Sequence, residues 1–123
     1  MHAFRAAVEE RRIDDIADML DERVVFHSPV AFTAYKGRDV VHTILRAAFD
    51  TFEDFSYVRE LNSPLDGYTA LVFKAKVDGL DIEGCDFIHE TPDHLVDEFT
   101  VMLRPMKATQ AFSEKMGAKL PSR

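Results

Sequence analysis

Two turn signals in the second half of the chain, Asp78-Gly79 and Thr91-Pro92-Asp93, constrain the fold more than any other feature. An Asp-Gly pair between alternating apolar residues is the chemistry of a tight hairpin, since both residues tolerate the positive φ that such turns demand. The β-rich runs on either side, Tyr68 to Val77, Leu80 to Glu90 and Leu95 to Arg104, therefore read as neighbouring antiparallel strands. A further run, Phe55 to Leu61, joins them through Asn62-Ser63-Pro64-Leu65-Asp66-Gly67, another turn-rich stretch.

The first half has a different period. Apolar residues at Phe4, Ala7 and Val8, then at Ile13, Ile16, Ala17 and Leu20, predict one helix, a short break and a second helix with the same buried side. Val24-Val25-Phe26-His27-Ser28-Pro29 is a short strand stopped by proline. Val40, Val41, Ile44, Leu45, Ala48, Phe49 and Phe52 mark a third helix, with Gly37 as the turn before it and Asp39 suited to its N-terminal dipole. The tail from Ala108 to Lys119 forms a terminal helix or frays. The expected order is ααβαββββ: an α+β protein with three helices packed on a curved antiparallel sheet. With 123 residues and no repeat, linker or low-complexity stretch, residues 1–123 read as a single domain.

Alternation then assigns faces. Leu80, Ile82, Gly84, Asp86 and Ile88 share one face of their strand, which sets Asp86 in an apolar row. A carboxyl there is costly if ionised and unpaired, so it is either hydrogen-bonded or shifted upward in pKa. Such a group is a candidate general acid, general base or polar anchor for a ligand, against the alternative of a structural carboxylate paired with a Tyr, His or Arg. In the last strand Val96, Glu98, Thr100 and Met102 share one face, and Leu95, Asp97, Phe99, Val101 and Leu103 the other. Both faces of that strand are apolar, so the sheet needs two covers. The helices supply one. The other is a second copy of the chain on the open sheet face, giving a homodimer, or the C-terminal segment folded over Phe99 and Leu103.

Composition excludes several classes. Fifteen Lys and Arg against 22 Asp and Glu leave a net charge of -7, with the basic residues scattered, which disfavours nucleic acid and anionic membrane surfaces as partners. No apolar run approaches the roughly 20 residues of a membrane helix, and the N-terminus lacks the apolar core of a signal peptide, so the expected location is cytoplasmic. The single Cys85 has no partner for an internal disulfide. Five histidines show no metal-ligand spacing; only His89 and His94 flank a common turn, and no metal or other cofactor is expected. Tyr35 and Tyr57 either offer hydroxyls to a pocket or pack as core aromatics beside the ten Phe. No nucleophile elbow, phosphate loop or dinucleotide fingerprint is present.

From Phe4 to Pro105 the chain resembles the nuclear transport factor 2-like superfamily of cone-shaped folds. Within that superfamily it is similar to the SnoaL-like polyketide cyclases and their ketosteroid isomerase relatives. The residues that carry the likeness are the two-helix opening before Val24-Val25-Phe26-His27-Ser28-Pro29-Val30, Tyr35-Lys36-Gly37, Gly84-Cys85-Asp86-Phe87-Ile88 and Leu95-Val96-Asp97-Glu98. The resemblance implies a pocket for a small apolar molecule. Ketosteroid isomerases use a base aspartate, an oxyanion-binding tyrosine and a protonated aspartate. Matched by position, the last is kept as Asp86, but the base falls on Ser28 and the tyrosine on Phe4. Neither Ser28 nor Phe4 can take a proton from carbon or stabilise an enolate as the original groups do. By similarity to SnoaL-like cyclases and epoxide hydrolases, the pair implied for acid-base work is Asp86 with Glu98, on one face of neighbouring strands; Glu98 otherwise forms an ordinary ion pair.

Three functions follow from these readings. One is acid-base catalysis on an apolar ligand (isomerisation, cyclisation or epoxide opening) by Asp86 with Glu98, Tyr57 or Ser28. The second is noncatalytic binding in the same pocket, and the third is a dimeric interaction module working through the sheet face.

Overall fold

A computed structural model describes residues 2–120. Helix α1 spans Ala3–Glu9, and the ring of His2 caps it by accepting from the Phe4 backbone N–H at 3.1 Å. The expected second α-helix is instead a 3-10 helix, Ile13–Met19. Arg11, at φ 58, breaks the chain direction just before it, and a strand begins immediately after it at Leu20. The chain must be extended again directly after Met19, and the tighter, longer-rising coil spans the gap between the two stops.

The remaining elements are β1 (Leu20–His27), β2 (Tyr35–Lys36), α2 (Arg38–Thr51), β3 (Glu53–Ser63), β4 (Tyr68–Val77), β5 (Leu80–Glu90), β6 (Val96–Arg104) and α3 (Met106–Lys119). Gly37, at φ 100, turns the chain from β2 into α2, a conformation open to glycine at little cost. The six strands form one sheet in the order β2-β1-β6-β5-β4-β3. It is antiparallel except where β1 runs parallel to β6, a departure from the all-antiparallel expectation. Irregularities in β3 beside β4, and between β5 and β6, add the bends that curve the sheet around the helices.

The concave face carries the core. Phe4 of α1 lies 5.1 Å from Phe99 of β6 between ring centroids, and Phe99 stacks on Phe26 of β1 at 5.8 Å. Phe99 is fully buried there. It is therefore not on the open face of the sheet, and the greasy inner side of β6 is covered within the chain. Part of that cover is α3, which packs against α2, β4, β5 and β6. Its Phe112 stacks on Phe52, the residue that follows α2, at 4.8 Å and an interplanar angle of 16°.

Candidate functional site

The site follows from the regular pleat of β4 and β5. Thr69, Leu71, Phe73, Ala75 and Val77 of β4 are buried, as are Ile82, Gly84, Asp86 and Ile88 of β5, while the alternate residues face outward. Asp86 lies opposite Leu71 on one side and Val101 on the other, and is 3% exposed. Its carboxyl lines a cavity of about 200 Å³ between the sheet, α2 and α3. Phenylalanine rings form a large part of the wall: Phe26, Phe49, Phe52, Phe55, Phe73, Phe99 and Phe112. Among the described residues, Asp86 is the only acidic or basic side chain in that lining.

Space for these rings depends on Gly84. A Cβ built there would stand 2.3 Å from Cζ of Phe73 and 2.7 Å from Cδ2 of Leu103. The bare backbone lets Phe73 lie across β5 next to Asp86.

Burial dominates the electrostatics. Removal from water pushes the Asp86 carboxyl up to about 8, against an opposing, smaller effect of the Tyr57 hydrogen bond. At neutral pH the group is therefore mainly a neutral acid. Tyr57 donates from its hydroxyl to Oδ2 of Asp86 at 3.5 Å. Burial raises the Tyr57 hydroxyl well above its ordinary value, with the neighbouring Asp86 adding to the effect, so it stays a donor.

The other expected site residues divide. Ser28 and Tyr35 line the cavity with Asp86. Ser28 Oγ accepts from the Val30 N–H at 3.1 Å, folding the loop after β1, and the Tyr35 ring lies 6.5 Å from Phe26. Tyr57 and Phe4 lie outside the lining. Tyr57 packs edge-on to Phe55 at 4.9 Å with the Arg5 guanidinium 5.9 Å from its ring centre, and fully buried Phe4 is a core residue between Phe49 and Phe99.

Glu98 is on the wrong face. Along β5 and β6, Glu90 pairs with Val96 but His89 pairs with Glu98, so β6 carries one extra residue at Asp97. This bulge reverses the parity, placing Val96 and Phe99 inward and Glu98 outward. On the outer face Glu98 accepts from the Tyr68 hydroxyl at 2.9 Å and lies 3.6 Å from His27, while Asp97 meets His89 at 2.6 Å. Asp86 and Glu98 are thus not a pair.

Other lining residues come from the helices: Ile44, Leu45, Ala48 and Phe49 from α2, and Phe112, Ser113, Met116 and Gly117 from α3. Helical periodicity tells that the α2 residues face the sheet. It does not tell that a gap is left between them.

The family model of the SnoaL-like domain matches residues 1–89 of the chain. The chain belongs to the SnoaL-like family. This SnoaL-like chain is also similar, at 35% identity and a TM-score of 0.90, to a steroid delta-isomerase from Pseudomonas aeruginosa, over 94% of this chain and 84% of that one. A cystatin-like-fold protein from Silicibacter pomeroyi is 30% identical with a TM-score of 0.88, over 96% and 85% of the two chains. An NTF2-like protein from Cytophaga hutchinsonii shares the fold at 15% identity and a TM-score of 0.62, over 85% and 86%. No protein of curated function matches the chain in sequence. The matched segment ends at His89, so Asp86 falls inside it, whereas β6 and α3, which close the cavity, follow it. No helix among the described residues is long and apolar enough to cross a membrane.

Proposed function

We propose that this SnoaL-like chain binds a small apolar molecule in the phenylalanine-lined cavity and that Asp86 does acid-base work on it. The observation that carries this reading is the buried carboxyl, pushed up to about 8, alone of its kind in an apolar wall. A carboxylic acid held neutral at pH 7 donates a proton or a strong hydrogen bond to an acceptor that enters the cavity. Epoxide opening, cyclisation and isomerisation can each begin with donation to a ligand oxygen. Asp86, once ionised, is then the base that recovers the proton. The likeness to a steroid delta-isomerase brings isomerisation into this set. The base-first route of ketosteroid isomerases is disfavoured, because Ser28 stands where the base is expected and Phe4 lies outside the cavity.

The same cavity supports a second reading, binding without turnover, in which Asp86 only orients the ligand. It is favoured by the lack of a second acid or base in the lining among the described residues. Asp86→Asn separates the two. Screening of apolar epoxides and ketones for product should find a substrate whose turnover is abolished in the variant while its affinity stays within a few-fold. Turnover that survives the substitution removes Asp86 from the chemistry.

The protein is further proposed to act as a cytoplasmic homodimer through the outer sheet face. Phe87 and Met102, 38% and 58% exposed, stand on that face, as does Leu61, 57% exposed. A second copy is the commonest cover for such a surface.

A further inference from the structure

The cavity's dimensions say more than its acid does. An enclosed cavity of about 150 Å³ holds benzene, whereas pockets for drug-sized ligands run to about 300–1,000 Å³. At about 200 Å³, this cavity lies between them and close to the lower bound. A ligand of roughly eight to twelve non-hydrogen atoms fits that space, which is one ring or two fused rings.

Helix α3 sets the limit. Its buried positions, Ala108, Phe112 and Met116, recur every four residues and face inward. Phe112 is held against Phe52 by ring stacking, and Sδ of Met116 packs 3.7 Å from the buried Thr51 hydroxyl of α2, which donates to the Ala47 carbonyl at 2.7 Å. These contacts fix both side chains at the cavity wall. The next residue, Gly117, also lines the cavity, and a Cβ there would meet nothing within 4 Å.

The lining's polarity narrows the ligand further. With no Arg, Lys or His among the described residues of the lining, an anionic ligand would lose its hydration without a counter-charge. A neutral molecule with an acceptor oxygen for Asp86 matches this lining, whose other polar side chains are the uncharged hydroxyls of Ser28, Tyr35 and Ser113.

We infer that α3 is the size gauge of this site: Phe112 and Met116 restrict it to compact neutral ligands of one or two rings that present an acceptor to Asp86. This rests on the proposal that the cavity is a ligand site. It sets the expected ligand well below the four fused rings of a steroid.

The test uses the full chain and three neutral ketones of rising size, cyclohexanone, 2-decalone and a four-ring steroid ketone, with binding measured by calorimetry. The expected result is that one of the two smaller ketones binds at least ten-fold more tightly than the steroid ketone. Met116→Ala should narrow or reverse that ratio by ten-fold or more, and Met116→Leu, which conserves volume, should preserve it. Gly117→Leu adds bulk on an exposed stretch of helix and guards against a Met116 variant that fails to fold. It should weaken 2-decalone at least five-fold relative to cyclohexanone. Preferred binding of the steroid ketone by the native chain overturns the gauge alone, as does a size order that neither Met116→Ala nor Gly117→Leu alters. Failure of every ketone to bind native and variant chains alike overturns the ligand site and the gauge with it.

Discussion

The hydroxyl of Tyr57 stands 3.5 Å from Oδ2 of Asp86, yet only Asp86 lines the cavity. The acid is therefore held from behind. One oxygen is engaged by a residue of β3, and the carboxyl remains exposed to whatever occupies the space in front of it.

Removing this support has a definite sign. The Tyr57 hydrogen bond favours the ionised form of Asp86, so Tyr57→Phe should raise the already elevated carboxyl pKa further. Carbon-detected NMR titration of the Asp86 carboxyl measures it, and an increase of up to about one unit is expected for a long hydrogen bond. Ligand affinity at pH 6 should change little, because Tyr57 does not line the cavity. A titration that moves downward would show that the hydroxyl does not stabilise the carboxylate.

The raised pKa also predicts how stability varies with pH. The folded state holds the Asp86 proton up to about 8, whereas a carboxyl in the unfolded chain releases it near 3.8. This contribution is therefore fully present below about 4, is lost as pH rises through about 8, and is constant beyond. Asn imitates the neutral acid and does not titrate. The stability of Asp86→Asn relative to the native chain should rise across that window by about 1.4 kcal/mol per pH unit, on the order of several kcal/mol in total. Urea unfolding of both proteins at pH 4.5, 7 and 9 gives the comparison. A difference that stays flat with pH would mean that Asp86 is not buried as a neutral acid.

How much of this is legible in the sequence depends on the element. The faces of β4 and β5 are legible because their alternation is unbroken between Tyr68 and Glu90, with Asp78-Gly79 fixing the register between them. That is enough to find Asp86. The face of Glu98 is not legible, because Asp97 looks like any other strand residue and a bulge leaves no alternation to follow. The spacing of Val96 to Phe99, two apolar residues three apart, is the trace it leaves. Helix α3 reads weakly because one of its three buried positions is only an alanine, Ala108. The cavity is invisible to pattern altogether: periodicity states which way Phe49 and Phe52 point, not how far from Phe73 they stop.

Gly84 is the backbone counterpart of that spacing. Gly84→Val would put branched carbons where Phe73 and Leu103 already lie within 2.3 and 2.7 Å of a Cβ. The strand's own β propensity favours valine, so a stability loss isolates the packing conflict. Chemical denaturation should show a loss of about 1–3 kcal/mol, with Gly84→Ala less affected. A neutral or stabilising valine would mean that Phe73 has another place to go, and that the cavity wall yields.

The outer sheet face carries the last prediction. Register aligns Leu61 with Ala70, Ala70 with Phe87 and Phe87 with Thr100, and in the next row Val72 with Cys85 and Cys85 with Met102. Directly opposed residues share a face, so these side chains form a continuous, largely apolar band on the side away from the cavity. Tyr68, His89 and Glu98 border it at one end, with Glu83 and Arg104 at the other. An apolar centre with a polar border is the make-up of a protein interface, and a second copy would bury Phe87 and Met102 near its middle. Phe87→Glu should weaken the dimer at least ten-fold, since a carboxylate there would be desolvated without a partner. Sedimentation equilibrium of the native and Phe87→Glu chains reads this directly, with unchanged circular dichroism as evidence that the sheet still forms. The inward Phe99→Glu, by contrast, should unfold the chain rather than dissociate it, because its ring lies between Phe4 and Phe26. A dimer that persists in Phe87→Glu rules out this band as the contact, and a native chain that sediments as a monomer rules out the dimer.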